Sequence, residues 1–182
     1  MFPVALNLQT LPILLIGKGE AYARRKAQLL ESGAKFFTCH SYESGDPGQI
    51  NLNDSVVIMV AGLDYNTSET IASYARMAGK LVNVEDVPEL CDFYFMAQVK
   101  RGDLLIAIST NGASPTVAKR IRDYIARRFG AEWAGFVDEM KQHRLQLRAE
   151  GKGMKDIMHA SDALLQDKGW LDCAACKHKD TV

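Results

Sequence analysis

Pro12-Ile-Leu-Leu-Ile-Gly17-Lys-Gly19-Glu-Ala21 is the stretch that decides the fold. Its apolar run breaks into two closely spaced glycines and then into helix-forming sequence, as a buried strand does when it feeds a nucleotide-binding turn. Gly17 suits the tight turn and Gly19 the close approach of backbone to a pyrophosphate, while the first N–H groups of the next helix have no intrahelical acceptors. Tyr22 occupies the third position of the G-x-G-x-x-G pattern, between Ala21 and Ala23. The turn alone therefore leaves both a dinucleotide site and an ordinary strand-to-helix turn open.

The flanking sequence supplies the context. Glu20 to Glu31 is rich in Ala, Leu, Arg and Lys, which favour a helix, and Ser32-Gly33 suits its end. A second apolar run over Ala34 to His40 completes a βαβ unit. The acid that commonly holds the adenosine ribose would fall in Cys39-His40-Ser41-Tyr42-Glu43. Ser41 or Glu43 fits that place, and the choice between NAD and NADP stays open. The polar segment Glu43 to Asp54 reads as a connection with room for a short edge strand. Ser55 to Ala61 is a continuous apolar run, as a buried parallel strand requires. A loop from Gly62 leads into a predicted helix over Ser68 to Ala78, followed by a strand over Lys80 to Val84 and the loop Glu85-Asp86-Val-Pro88.

The pattern then changes. Phe93 to Val99 and Leu104 to Ser109 read as two strands of a hairpin turning at Lys100 to Asp103. Ser114 suits an N-cap and Pro115 the first helical position, opening helices over about Thr116 to Phe129, Glu132 to Ala149 and Met154 to Gln166.

Composition narrows the function. The 182 residues carry 22 basic and 22 acidic side chains, and a net charge of zero argues against a general nucleic-acid footprint. The opening segment lacks a basic, then apolar leader, and no later run approaches a membrane span, so the expectation is a soluble cytoplasmic protein without a membrane partner. Cys39, Cys91, Cys173 and Cys176 are too scattered for a disulfide framework. Cys173 and Cys176 with His178 have metal-like spacing but no second pair, so a tail is expected there and no metal site is assigned.

Two features could carry chemistry. Asp86 follows a parallel strand at the end where a cofactor should lie, where a carboxylate can take or relay a proton; Asp is also a common turn residue, which gives it a purely structural reading. Lys119, Arg120, Arg122, Arg127 and Arg128 crowd one predicted helix, with Lys100 and Arg101 in the hairpin. Together they suit a polyanionic substrate, although any one of them also fits a solvated helix face.

Several of these motifs occur in an order that resembles the siroheme synthase N-terminal family, the precorrin-2 dehydrogenases, some of which are also sirohydrochlorin ferrochelatases. Leu14-Leu-Ile-Gly-Lys-Gly, Arg24-Arg-Lys-Ala-Gln-Leu-Leu-Glu-Ser-Gly-Ala34, Asn83-Val-Glu-Asp86-Val-Pro88, Cys91-Asp-Phe93, Arg101-Gly-Asp-Leu-Leu-Ile-Ala-Ile-Ser109 and Asn111-Gly-Ala-Ser-Pro115 carry the likeness, which spans about Phe2 to Arg128. It implies an α/β fold: a Rossmann-like parallel sheet over residues 1–92, a hairpin-plus-helix dimerisation segment over 93–130 and a C-terminal helical part over 131–182. It also implies oxidation of precorrin-2 to sirohydrochlorin with NAD, in a homodimer. Asp86 takes the catalytic place, Gly17, Lys18, Gly19, Glu20 and Ala21 the phosphate turn, and Ser41 and Tyr42 the adenosine-ribose contacts. The basic helix, with Lys119 and Arg120, meets the substrate's carboxylates. Fe²⁺ is a further substrate in those members that chelate, and no ligand cluster in this sequence requires that activity. Lys18, Gly62-Leu63 and Met96 depart from the usual family residues, and Thr110 falls where some bifunctional members have a serine. The contrasting expectation is an NAD-sensing dimeric regulatory module without catalysis.

Overall fold

The computed structural model describes residues 2–170. Cys173, Cys176 and His178, and the question of a metal there, lie outside the described residues. The chain divides between Phe95 and Met96 into two compact units.

The first unit is a parallel four-stranded sheet in the order β2-β1-β3-β4. Its elements are β1 (Ile13–Gly17), α1 (Gly19–Glu31), β2 (Phe37–Ser41), β3 (Val57–Ala61), α2 (Tyr65–Met77) and β4 (Leu81–Val84). Strands β1 and β3 are buried at every residue. They are central strands with apolar cover on both faces, which is why their sequences are continuous rather than alternating. Successive side chains point to opposite faces and build two cores. Leu14, Ile16, Ile58, Val60, Val82 and Val84 pack with Ile71, Ala72 and Ala75 of α2. Ile13, Leu15, Val57, Met59 and Ala61 pack with Leu29 of α1. Each fully buried aliphatic side chain contributes about 1.5–3 kcal/mol.

Two expectations need correction. The segment from Glu43 to Asp54 forms no edge strand; it contains a short 3₁₀ turn, Pro47–Gln49, where the Asp46 carboxylate accepts from the Gly48 N–H. Helix α2 begins three residues before the predicted Ser68, because Asp64 caps it, accepting from the Thr67 N–H at 3.0 Å and the Thr67 hydroxyl at 2.8 Å. These bonds hold the Asp64 carboxyl below the usual carboxylate range.

The outer edge of β4 is closed by side chains. The Val82 N–H donates to an Asp92 carboxylate oxygen at 2.9 Å and the Val82 carbonyl accepts from the Asp92 N–H at 2.8 Å. The Val84 N–H donates to Cys91 Sγ, and that thiol in turn donates to the Val84 carbonyl. The buried Asn83 amide donates to the Phe93 carbonyl at 2.9 Å. Burial pushes the Cys91 thiol up, keeping the proton that the second sulfur contact requires.

The second unit opens with an antiparallel hairpin, β5 (Ala97–Arg101) and β6 (Leu104–Ile108), joined through Gly102-Asp103 with Gly102 at a φ of 57°. The first strand starts four residues later than Phe93, because Asp92 and Phe93 are still bonded to β4. Helices α3 (Pro115–Arg128), α4 (Trp133–Ala149) and α5 (Met154–Lys168) follow. Ser114 caps α3, its hydroxyl accepting from the Val117 N–H, and Pro115 holds the first helical position as predicted. Among the described residues no helix is long and apolar enough to cross a membrane.

Candidate active site

The order β2-β1-β3-β4 places a topological switch point between β1 and β3, since the chain leaves β1 toward one edge and β3 toward the other. Ligands of open parallel sheets bind in the crevice outside the carboxyl ends of such strands. Here those ends touch. Gly17 pairs with both Ser41 of β2 and Ala61 of β3. A Cβ on Gly17 would overlap the Ala61 carbonyl oxygen and lie 2.9 Å from its carbon. That same oxygen accepts from the Lys18 N–H at 3.2 Å. From the other side, a Cβ on Gly62, which has a φ of 72°, would overlap the Lys18 carbonyl oxygen. Two glycines thus let the two loops interlock. Gly62 opens the loop after the buried run Ser55 to Ala61, and a glycine just after a buried parallel strand is itself a sign of close backbone approach.

A dinucleotide fits this crevice on the chain's own geometry. Gly19, at a φ of 69°, begins α1 and has open space where a Cβ would stand. The N-cap residue, Lys18, makes no side-chain cap, whereas α2 takes Asp64 and α3 takes Ser114. The leading N–H groups of α1 are therefore left for an anion. Lys18 and Glu20 are exposed beside them, and Ala21 packs against the core below. Tyr22, in the third glycine position, fills space against the same core, and burial and its hydrogen bond with Cys39 push its phenol up to about 12.

At the end of β2, Ser41 and Glu43 come together, the Ser41 hydroxyl donating to the Glu43 carboxylate at 3.0 Å. Tyr42 behaves differently. Its side chain is buried in the core and its hydroxyl donates to the Gly45 carbonyl at 2.6 Å, while its N–H donates to the Gly17 carbonyl.

The end of β4 carries the acidic residues. Asp86 is exposed at a φ of 61°, a left-handed conformation uncommon outside glycine, at the third position of a turn in which the Val87 N–H meets the Val84 carbonyl. Its neighbour Glu85 turns toward α1. Glu85 Oε1 accepts from Arg24 at 2.8 Å and lies 3.5 Å from Arg25, whose guanidinium stacks 3.9 Å over the Phe95 ring. Glu85 Oε2 is buried without a partner among the described residues. The hydrogen bond to Glu85 raises the Arg24 pKa, whereas burial lowers that of Arg25. No sequence pattern points to this cluster, because Arg24 and Glu85 are 61 residues apart in the chain.

In the second unit Lys119 and Arg120 are exposed on α3, and neither enters an ion pair among the described residues. Arg101 does not belong with them. It caps the carboxyl end of α3, donating to the carbonyls of Phe129 at 2.8 Å and Ala126 at 3.2 Å. Arg122 pairs with Asp123. The Thr110 hydroxyl bridges to the Ser114 main chain and so shapes the entry to α3.

Comparison with known proteins matches this arrangement. A family profile described as putative NAD(P)-binding covers residues 4–97, and one described as sirohaem biosynthesis protein central covers residues 101–128. Siroheme synthase of Methylococcus capsulatus (strain Bath) is 36% identical over 139 residues, covering 68% of this chain and 29% of that protein. Siroheme synthase of Nitrosomonas eutropha is 30% identical over 166 residues, covering 81% of this chain and 34% of the relative. The chain thus spans about a third of the length of these curated relatives. Among solved structures, one titled SirC, precorrin-2 dehydrogenase, shares the fold with a TM-score of 0.74 at 21% identity, covering 94% of this chain and 92% of that one. With a glycine-interlocked crevice, an uncapped α1 and a profile that spans the whole sheet, the chain belongs to the putative NAD(P)-binding family, in the form that runs on into the sirohaem biosynthesis central segment and that the likeness to the siroheme synthase N-terminal family implied.

Proposed function

We propose that this protein is an NAD-dependent precorrin-2 dehydrogenase of siroheme biosynthesis. The observation that carries the reading is the exposed Asp86, held in a left-handed turn at the carboxyl end of β4, the end of the sheet where the dinucleotide crevice also opens. NAD, when bound, takes up a hydride. The chain's own residues do the rest. The Gly17 to Ala21 turn and the N-terminus of α1 hold the pyrophosphate, Ser41 positions the adenosine ribose, and Asp86 accepts the proton lost as precorrin-2 becomes sirohydrochlorin. The Glu43 carboxylate beside Ser41 disfavours a 2′-phosphate and selects NAD over NADP. The test is anaerobic: precorrin-2 generated in situ, with protein and NAD but no metal, following NADH and sirohydrochlorin together. Both rising in step supports the assignment; neither rising while NAD binds favours the NAD-sensing module. Fe²⁺ added afterwards reports chelation, in which the Asp86 carboxylate would receive pyrrole protons.

Lys119 and Arg120 are proposed to meet the substrate's carboxylates. A charge-assisted bond of this kind is worth ~1.5 kcal/mol or more, so Lys119→Ala or Arg120→Ala is expected to raise KM for precorrin-2 about tenfold at constant kcat. Steady-state kinetics at saturating NAD decide it, and a fall in kcat alone would remove both residues from this role.

The second unit is proposed to pair with another copy of the chain. Val117, Ile121 and Tyr124 form an exposed apolar stripe along α3 at 47%, 40% and 58% exposure, with Leu105 on β6 exposed as well. A monomer rarely leaves such a stripe open to water. Analytical ultracentrifugation is expected to find a dimer, and Ile121→Asp to convert it to monomer; a monomeric native protein would overturn this part of the reading.

A further inference from the structure

Asp86 stands in the left-handed region, which Asp adopts more readily than most residues but only as a single turn position, so the bonds on either side of it decide where its carboxylate stands. After Asp86 the chain is fixed by the Val87 N–H on the Val84 carbonyl, the Leu90 N–H on the Val87 carbonyl, and the Cys91 thiol, whose one proton is shared between the Val84 and Val87 carbonyls. Before it there is one residue, Glu85, whose N–H continues the sheet by donating to the Val60 carbonyl.

The Glu85 side chain is only 11% exposed. It lies among Arg24, Arg25 and Phe95, with one carboxylate oxygen serving both arginines and the other without a partner among the described residues. As a stabilising device this is poor. A buried ion pair loses most of its Coulombic gain to desolvation, and an apolar side chain of similar size would serve stability as well or better. What the pair does supply is direction. Arg24 and Arg25 sit in the second turn of α1, the helix whose N-terminus forms the pyrophosphate cradle, and Glu85, adjoining Asp86, accepts a hydrogen bond from Arg24 and is ion-paired with Arg25.

We propose that Glu85 is a positioning residue for the reaction: its grip on Arg24 and Arg25 ties the loop bearing Asp86 to the phosphate-binding helix and sets where the Asp86 carboxylate stands relative to the dinucleotide. The inference rests on the functional reading above, in which Asp86 takes the proton. Glu85 itself touches neither cofactor nor substrate and acts through its neighbour.

Glu85→Gln keeps the size of the side chain and one acceptor oxygen for Arg24, and removes the charge that holds two guanidinium groups. Steady-state kinetics with precorrin-2 should show kcat falling about tenfold while the Kd for NAD stays within about twofold. In an Asp86→Asn background the same substitution should cost nothing further, because a residue that acts through Asp86 has nothing left to position. Independently of activity, amide hydrogen exchange at Glu85 and Val87 should accelerate about tenfold, with Met59 and Val60 of β3 unchanged. Arg24→Gln breaks the same 2.8 Å bond from its exposed partner, supplies the same readings with smaller amplitude, and stands in if Glu85→Gln does not fold. Equal losses of kcat in both backgrounds, or exchange at the turn unmoved in both variants, would overturn the proposal. Faster exchange at the turn in the variants, with a native protein that fails to oxidise precorrin-2, would leave the tether standing and remove the dehydrogenase reading instead.

Discussion

Gly17→Ala is expected to destabilise the protein by ~3 kcal/mol or more and to abolish dinucleotide binding. A methyl group at this position has nowhere to go. It would overlap the Ala61 carbonyl oxygen, which is main chain in the next strand and already accepts from the Lys18 N–H. Relief requires β1 and β3 to part at their carboxyl ends, which breaks that hydrogen bond and disturbs two strands buried at every residue. Overpacking of side chain against side chain costs about 1–3 kcal/mol, and a main-chain neighbour cannot change rotamer to yield. Urea unfolding followed by circular dichroism gives the stability loss, and NAD titration of the folded fraction gives the binding. Near-native stability with near-native affinity would show that the loops are not interlocked as described.

Asp86→Asn is expected to lower kcat by about 10²–10⁴-fold with little change in the Kd for NAD or in melting temperature. The range is that of a positioned general base removed from a proton transfer. The substitution is clean for a local reason: Asn tolerates the left-handed region as well as Asp does, so the turn at φ 61° survives and only the charge is lost. Stopped-flow NADH formation at saturating precorrin-2, with NAD binding measured separately, checks both halves. Unchanged turnover would reduce Asp86 to a turn residue and shift the functional reading toward a dinucleotide sensor.

The parallel sheet was legible because its two central strands are continuous apolar runs ending in glycines, and burial on both faces leaves that mark in any sequence. Ser114-Pro115 was equally plain, since capping is a property of adjacent residues. The start of α2 is less plain: Asp64 and Thr67 form its cap, but Asp, Asn and Thr at 64, 66 and 67 are equally good loop residues. Site residues were legible only where chain neighbours make them. The Gly17 turn and the Asp86 loop could be found by motif and resemblance, but the Arg24–Glu85–Arg25 cluster depends on which helix lies over which strand, and charge pairs distant in the chain leave no periodic signal. Tyr42 and Arg101 show the converse limit. Both stood in suggestive places, and packing gave Tyr42's side chain to the core and Arg101's to the end of α3.

The side chains along β4 close an edge that would otherwise invite another strand. Asp92 and Cys91 bond at the ladder positions of Val82 and Val84, and among the described residues the sheet stops at four strands. Half of that barrier is a thiol. Oxidation or alkylation of Cys91 removes the donor to the Val84 carbonyl and enlarges a group packed against the core, which frees a length of edge for pairing between molecules. Burial that keeps this sulfur protonated also keeps it slow to react, so the closure of the edge lasts as long as the packing around Cys91 does.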